Sequence, residues 1–289
     1  MRSAIAAILL FATAARADIA PMPFSGAAEL RPLPGSDASN LKMSREDIAI
    51  TLHDGYALID GTFEMSNEGT EKTIKVGFPG AGVYVRGNKA HRPLINFQAW
   101  VDGKPVSTKA ETKTISSMKG PPGRQYAKHR DETWHAFDAK FPAKKTTKIR
   151  VRYAVLADVN KGDSWSSDEL FTEGDVNYVL ATGARWSGSI GEAVLTIRAA
   201  DKLSLDSVRI RDGRTPPLPK RTAGAKLQPA LPSYAKRNGD AIVLTRKTLE
   251  PTEDDNIEIV FPLATPRPDS TVAPELWKPV EEAATAASK

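Results

Sequence analysis

The sequence predicts an all-β protein built from antiparallel sheets, and three observations carry this prediction. Apolar and polar residues alternate over short segments, Asp-Gly pairs separate such segments, and no window before residue 272 holds a sustained apolar stripe of helical period. Parallel α/β architectures need such stripes for their crossover helices, so they are disfavoured. We therefore predict sheets that have one buried face and one wet face.

The N-terminus has the pattern of an export signal. Arg2 precedes an apolar run from Ala4 to Ala14, and Ala15-Arg16-Ala17 fits the small-residue rule for signal peptidase. The run is short for a bilayer, which takes about 20 residues to span. We predict a signal peptide at 1–17, cleavage after Ala17, no transmembrane segment in the mature chain, and a periplasmic or extracellular location.

The elements after the signal follow from local residue patterns. Residues 18–40 hold four prolines and predict an extended lead-in. Asp54-Gly55 joins two alternating segments as a hairpin, and Asp102-Gly103 does the same between Asn96 and Val106. The other strand candidates are 73–78, 134–141, 148–155, 177–181, 193–199, 207–211, 241–246 and 256–261.

The candidate strand at 148–155 has the clearest alternation. Four apolar side chains share one face and three cationic side chains share the other. The apolar set is Ile149, Val151, Tyr153 and Val155, and the cationic set is Lys148, Arg150 and Arg152.

The number of strands suggests two modules. About eleven strands over some 220 residues exceed one immunoglobulin-like sandwich, which uses about seven strands in about 100 residues. We predict modules at 41–157 and 176–263, a linker or inserted loop at 158–175, and a flexible tail at 264–289. The alternative is one continuous sandwich with 158–175 as an inserted loop. Stretches 107–133 and 212–238 are predicted irregular loops.

Two residue patterns carry a resemblance to a known family. The first is Met43-x-x-Glu46-x-Ile48-x-Ile50, followed by Phe63, Asn67 and Phe78-Pro79; the second is Tyr178-x-Leu180-x-Thr182-Gly183-x-x-Trp186-x-Gly188-x-Ile190-Gly191. Together they resemble a family of exported bacterial proteins known as a domain of unknown function, over roughly residues 41–200. The resemblance implies an envelope-associated β-rich protein and no established activity or catalytic residue.

The second pattern has a structural interpretation. Thr182-Gly183 would end a strand, Gly188 and Gly191 would permit tight turns, and Trp186 would pack at the end of a sandwich. The alternative is that Trp186 stacks on a sugar ring.

The composition and motifs give no sign of an enzyme. The 289 residues contain no cysteine, which excludes disulfides, thiolate zinc sites and a cysteine nucleophile. The four histidines are too scattered for a zinc signature, and we expect His135 to be a partly buried structural residue. No nucleophile elbow, phosphate-binding loop or dinucleotide fingerprint occurs.

One segment has the oxygen spacing of a calcium loop. Asp158, Asn160 and Glu169 fall at positions 1, 3 and 12 of an EF-hand-like loop, but Gly162 and Asp163 stand in reversed order. A solvated interdomain loop is the favoured interpretation, and calcium is the alternative. We predict no other cofactor.

Charge is distributed unevenly along the chain. The balance of 40 Lys and Arg against 35 Asp and Glu is too small to indicate nucleic acid binding, but 104–130 holds seven cations and one acid. Cations beside an aromatic ring suit a polyanion such as lipopolysaccharide phosphate or an acidic glycan. The candidate binding residues are Lys119, Arg124, Tyr126, Lys128 and Arg130, with Trp186. A flexible loop without a ligand is the alternative.

The sequence therefore predicts a non-enzymatic interaction or structural module of the cell envelope. Its partner would be an envelope protein or an anionic surface polymer, contacted through the basic loop 109–130. The alternative is a periplasmic hydrolase whose carboxylates are distant in sequence.

Overall fold

A computed structural model describes residues 26–27, 30–33, 35–79, 94–116, 129–160, 171–200, 202–214 and 231–267. These residues are nearly all β, as the alternating pattern predicts. The strands are β1 Gly26–Ala27, β2 Arg31–Pro32, β3 Leu41–His53, β4 Tyr56–Asn67, β5 Lys72–Pro79, β6 Ile95–Val101, β7 Lys104–Val106, β8 Lys109–Ser116, β9 His129–Phe141, β10 Thr146–Leu156, β11 Asp158–Asn160, β12 Phe171–Tyr178, β13 Ile190–Ala199, β14 Arg209–Arg211, β15 Ala235–Asn238, β16 Ala241–Leu249 and β17 Ile257–Arg267. Short 3₁₀ turns occur at Ala181–Arg185, Leu205–Ser207 and Glu253–Asp255, and no helix in the described ranges could span a bilayer.

The strands form three sheets. The central sheet has eight strands in the order β15-β16-β13-β3-β4-β10-β6-β7. A four-stranded sheet has the order β2-β5-β9-β8, and a five-stranded sheet has the order β1-β12-β17-β14 with β11 beside β12. Most neighbours are antiparallel, as predicted, whereas β1 with β12 and β3 with β13 run parallel.

Both predicted hairpins are confirmed. The turn at Asp54-Gly55 joins β3 to β4, and Gly55 has a φ of 86°. The turn at Asp102-Gly103 joins β6 to β7, with φ values of 48° and 77°. At Asp102-Gly103 both central residues have positive φ, which matches the right-handed twist of the paired strands and explains why Asp-Gly occurs there.

The hydrophobic core lies on one face of the central sheet. Buried and half-exposed residues alternate along β3 and β4, so every second side chain points into this core. The two smaller sheets contribute to the same core cluster. Its members include Ile48, Ile50, Ile59, Phe63, Val76, Phe141, Val176 and Ile259.

The division into two sandwich modules requires a correction. β3 belongs to the first predicted module and β13 to the second, yet they pair in one sheet with Ile48 opposite Leu195. One core cluster also draws on both halves. The boundary at 158–175 therefore does not separate two sheets, and the pairing agrees with the alternative of one continuous sandwich. No local pattern records a contact between strands so far apart in sequence.

Three predicted irregular segments contain strands. In 107–133, β8 pairs with β9, so the ends of the predicted basic loop are strands; 117–128 lie outside the described residues. The predicted linker contains β11 and most of β12, and 212–238 ends in β15. β17 also extends to Arg267, into the predicted tail. These strands are mostly polar or short, so their period-two signal is weak.

The two sequence patterns meet at the junction of β3 and β13. The Tyr178 hydroxyl donates a hydrogen bond to the carboxylate of Glu46, and both side chains are fully buried. Gly188 has a φ of 68°, in agreement with a turn. Gly191 does not form a turn: it lies within β13, where a Cβ atom would stand 2.3 Å from the Ser44 carbonyl oxygen. Close backbone contact is the physical reason for glycine at that position.

Candidate functional site

The candidate functional site lies on the face of the central sheet opposite the core, which we call the open face. Its side chains come from alternate residues of β10, β4, β3, β13 and β16, and the strand registers align them in rows. The first row is Lys148, Glu64, Arg45, Glu192 and Lys247; the second is Arg150, Thr62, Asp47, Val194 and Thr245; the third is Arg152, Asp60, Ala49, Thr196 and Val243.

The first row alternates in charge across five strands. Arg45 donates a hydrogen bond to Glu192, and Lys247 Nζ lies 3.6 Å from the other oxygen of Glu192. At the opposite end, Lys148 Nζ lies 3.4 Å from Glu64 Oε1. Cations therefore occupy both ends of the row.

The second and third rows combine small neutral side chains with two acids, because Asp47 stands between Thr62 and Val194 and Asp60 stands beside Ala49. Ala49, Thr62, Val194 and Thr196 form the floor of a shallow depression of about 510 Å³. Five charged side chains line the same depression, and two of them, Asp47 and Asp60, stand among the neutral residues. The five are Asp47, Asp60, Lys148, Arg150 and Arg198.

Both acids at the depression have their oxygens occupied. Arg45 binds Asp47 through two hydrogen bonds, of 2.6 and 2.8 Å, one to each oxygen. Asp60 accepts from Nε and Nη2 of Arg150 and from Nε of Arg152, at 2.6 to 2.9 Å. Burial raises the pKa of Asp60, but hydrogen bonds from the two arginines outweigh burial and hold this pKa below its usual value.

The cations, by contrast, keep unused hydrogen-bond donors. Within the described ranges, Nη1 of Arg150 has no protein acceptor. Arg198 is 47% exposed, and its charged neighbour is Asp240 at 3.8 Å, beyond hydrogen-bond distance. Lys148 is 58% exposed. Because the acids are neutralised and the cations retain donors, the depression favours anions.

An aromatic ring supports the position of Arg150. Its guanidinium carbon lies 5.7 Å from the ring centroid of Trp100, which is directly opposite in β6. The hydrogen bonds to Asp60 restrain the same guanidinium from the other side. Arg150 is thereby ordered before any ligand arrives, which lowers the entropy cost of binding.

Other ionic clusters are structural. Arg209 donates to Glu173 at 2.6 Å where both side chains are buried. Asp255 is fully buried and accepts from Arg214, Arg246 and Thr252. Burial raises the pKa of Asp255, but the Arg214 hydrogen bond and the other donors lower it below the usual value. His135 stacks on Phe97 with 4.8 Å between ring centroids, and burial lowers its pKa.

The sequence-predicted binding residues do not assemble into a described cluster. Lys119, Arg124, Tyr126 and Lys128 lie outside the described residues. Arg130 lies in β9, opposite Ile115. Trp186 is 5% exposed, and its Nε1–H donates to the Leu30 carbonyl at 3.0 Å. A ring buried to this degree offers no face to a sugar, so its position agrees with packing rather than stacking.

The calcium candidate residues have a different setting from the one predicted. Asp158 and Asn160 lie in β11, where they stand opposite Asp175 and Glu173 of β12. Glu169 is outside the described ranges. Among the residues that the structure describes, no group of three or more His, Cys, Asp or Glu could hold a metal ion.

The sequence partly signalled the open-face residues. Lys148, Arg150 and Arg152 were placed on one wet face of a strand, and the structure confirms that alternation. Asp60 and Arg198, which line the same depression, lie on strands whose order only the sheet reveals, so a sequence pattern could not bring them together.

Comparisons with known proteins bear on the fold alone. The sequence matches no known family profile and no curated protein. A Legionella pneumophila protein provisionally described as nutrient binding has a similar crystal structure, with a TM-score of 0.55, 18% identity, and coverage of 82% of this chain and 70% of that one. Two other structural matches are too distant to support an argument. One is an M1 zinc metallopeptidase from Deinococcus radiodurans, with a TM-score of 0.34, 10% identity, and coverage of 80% of this chain and 44% of that one. The other is leukotriene A4 hydrolase from Saccharomyces cerevisiae, with a TM-score of 0.35, 9% identity, and coverage of 79% of this chain and 30% of that one.

Proposed function

We propose that the mature chain is an exported, non-enzymatic binding module of the cell envelope whose ligand is anionic. This proposal rests on which charged side chains of the open face already have hydrogen-bond partners. Both oxygens of Asp47 and of Asp60 accept hydrogen bonds, whereas Arg150 and Arg198 keep donors that have no acceptor among the described residues. On such a surface arginines compensate the charges of the acids, and the remaining donors can form charge-assisted hydrogen bonds with an anion. The nutrient-binding description of the Legionella protein is compatible with a binding role, but its identity is too low to transfer a ligand.

The basic loop predicted at 109–130 is a second contact for a polyanion. Contact through the open face and contact through this loop can be tested separately, because a polymer could bind either surface or both. Export remains part of the proposal and rests on the signal pattern at 1–17.

Retention on a heparin matrix tests the function. The mature chain, residues 18–289, should bind heparin-agarose at about 20 mM salt and elute as salt rises, because bound cations release counterions. Unmodified agarose is the control matrix. Passage through heparin-agarose without retention at low salt would reject an anionic ligand. Mass spectrometry of the periplasmic fraction should find Asp18 at the mature N-terminus, and an uncleaved chain in the cytoplasm would reject export.

Neutralising Lys119, Arg124, Lys128 and Arg130 together tests the loop. Weaker retention of this variant would support loop contact. Unchanged retention would remove the loop from the proposal and leave the open face as the binding surface.

A further inference from the structure

We propose that the chain forms a homodimer in which β8 of one copy pairs antiparallel with β8 of the other, about a two-fold axis at Thr112. This pairing joins the two four-stranded sheets into one continuous sheet. Two observations support it: β8 is a long edge strand, and its charges complement one another in one of the two longest registers. The inference goes beyond the proposed function and does not depend on the ligand.

The length of β8 sets it apart from the other edge strands. It has eight residues and pairs along its whole length with β9, and among the described residues no strand pairs with its other side. A long edge presents a row of backbone N–H and C=O groups that a strand of another chain can bind. The remaining edge strands of the described sheets are two to four residues long and are β1, β2, β7, β11, β14 and β15.

The edge of the central sheet next to β8 is also blocked chemically. That edge is β7, and it carries Pro105, which has no N–H to donate to a neighbouring strand. β8 contains no proline. Among the described strands, β8 is therefore the edge at which this fold can extend a sheet.

The two faces of β8 limit the registers that a dimer can use. Lys109, Glu111 and Lys113 hold alternate positions and so belong to one face of the strand. Directly opposite residues share a face, so the two-fold axis must pass through a residue position rather than between two positions. Axes at Thr112 and at Lys113 pair the longest stretches of β8, which are residues 109–115 and 110–116.

Charge selects between these two axes. With the axis at Thr112, Glu111 stands opposite Lys113 of the second copy, and the symmetry repeats this pair. With the axis at Lys113, two lysines stand opposite each other. Opposite charges across a strand pair are stabilising and like charges are destabilising. The axis at Thr112 is therefore favoured.

A salt bridge within the chain already orders Glu111. Lys75 of β5 reaches across β9, and its Nζ lies 2.5 Å from Glu111 Oε1. The Glu111 side chain is 21% exposed, so much of its conformational freedom is lost before association. A carboxylate can accept from more than one cation, because its two oxygens offer about four lone pairs. Pairing with Lys113 of the second copy therefore costs little further ordering of Glu111.

Sedimentation equilibrium of the mature chain, residues 18–289, tests the association. The chain should dimerise reversibly at a concentration of about 100 µM, because an edge-to-edge interface is smaller than that of a tight dimer. A chain that stays monomeric at about 1 mM would refute the inference.

A single introduced cysteine tests the register, since the chain contains none. In Thr112→Cys the two thiols meet at the axis, where opposite Cα atoms are about 4.5–5.5 Å apart and a disulfide can close. Ala110→Cys is the matched control, because the same axis holds its two copies about 14 Å apart along the strands. Mild oxidation should cross-link Thr112→Cys into dimers and leave Ala110→Cys monomeric under denaturing conditions. Equal cross-linking of the two variants would refute this register.

Charge variants test the pair between Glu111 and Lys113. Lys113→Glu should weaken dimerisation about tenfold, because it sets two glutamates opposite each other at both symmetric positions. Adding Glu111→Lys reverses both charges and should restore dimerisation. Lys109→Glu is the matched control, since it makes the same change in charge at a position that stands opposite Ile115. The pairing would be contradicted if the double variant stayed weak, or if Lys109→Glu weakened dimerisation as much as Lys113→Glu.

The outcomes separate this inference from the proposed function. A chain that binds heparin but stays monomeric would refute the dimer and leave the function in place. A dimer that passes through heparin-agarose without retention would refute the function and leave the dimer in place.

Discussion

Gly191 and Gly188 belong to one sequence pattern, but the structure gives them different physical reasons, and substitution by alanine tests the difference. At Gly191 an added Cβ would lie 2.3 Å from the Ser44 carbonyl oxygen and 3.2 Å from its carbon. Even a close C···O contact is about 3.3 Å, so β3 and β13 would have to separate locally by about 1 Å.

An added Cβ at Gly191 would meet backbone atoms of Ser44, and this determines how much stability the substitution should cost. Overpacking usually costs about 1–3 kcal/mol where side chains can adjust. Here the separation also weakens the ladder that joins the two halves of the chain, so we expect Gly191→Ala to lower the free energy of unfolding by about 3 kcal/mol or more. Gly188 has a φ of 68° and nothing within 4 Å of its added Cβ, so Gly188→Ala should cost about 1 kcal/mol, the strain of a left-handed alanine.

Urea unfolding of both variants, followed by tryptophan fluorescence and circular dichroism, measures the two costs. The absence of a cooperative transition in Gly191→Ala would count as a loss at least as large as predicted. If Gly191→Ala were no more destabilising than Gly188→Ala, the close approach of β3 and β13 would not explain this glycine, and the reasoning would be refuted.

Three further predictions concern buried polar groups. Glu173→Gln leaves Arg209 buried without a counter-charge and should cost about 3–5 kcal/mol in urea unfolding, whereas a cost below about 1 kcal/mol would mean that the pair is hydrated. The pKa of Asp255 is lower in the folded protein than in the unfolded chain, where it is about 3.9. The ionised carboxylate therefore stabilises the fold at a pH above about 3.9, and this contribution is lost as the pH falls. The stability advantage of wild type over Asp255→Asn should therefore shrink between about pH 5 and pH 2, and a constant difference would contradict this linkage. Trp186→Phe removes the donor to the Leu30 carbonyl and should lower Tm, at a cost of about 1–3 kcal/mol; an unchanged Tm would show that this hydrogen bond adds nothing.

Local patterns predicted the parts of the fold that depend on neighbouring residues. The turns at 54–55 and 102–103 follow from Asp-Gly, and the two faces of β10 follow from its alternation. The sequence predicts a loop where the structure has the polar strand β8, because the lysines and threonines of β8 carry little apolar signal. The short strand β11 was assigned to a linker for a similar reason.

The candidate site could be predicted only in part. The cationic face of β10 was visible in the sequence, but it was interpreted as a solvated surface. The hydrogen-bond donors that Arg150 has left depend on its contact with Asp60, which lies ninety residues earlier in the chain and which no local pattern places beside it. The charges of the basic loop are close together along the chain, and closeness along the chain does not imply closeness in space.

The sequence by itself determined that this chain forms sheets with one buried face, where its tight turns fall, and which strand faces are charged. These features depend on side-chain period and on the φ preferences of residues next to one another. Only the tertiary structure decided that β3 pairs with β13, that three sheets share one core, and that Asp47 and Asp60 lie against the arginines that compensate their charge. The physical reason is that strand order is settled by packing free energy summed over distant segments, and any one segment could satisfy its own pattern beside several different neighbours.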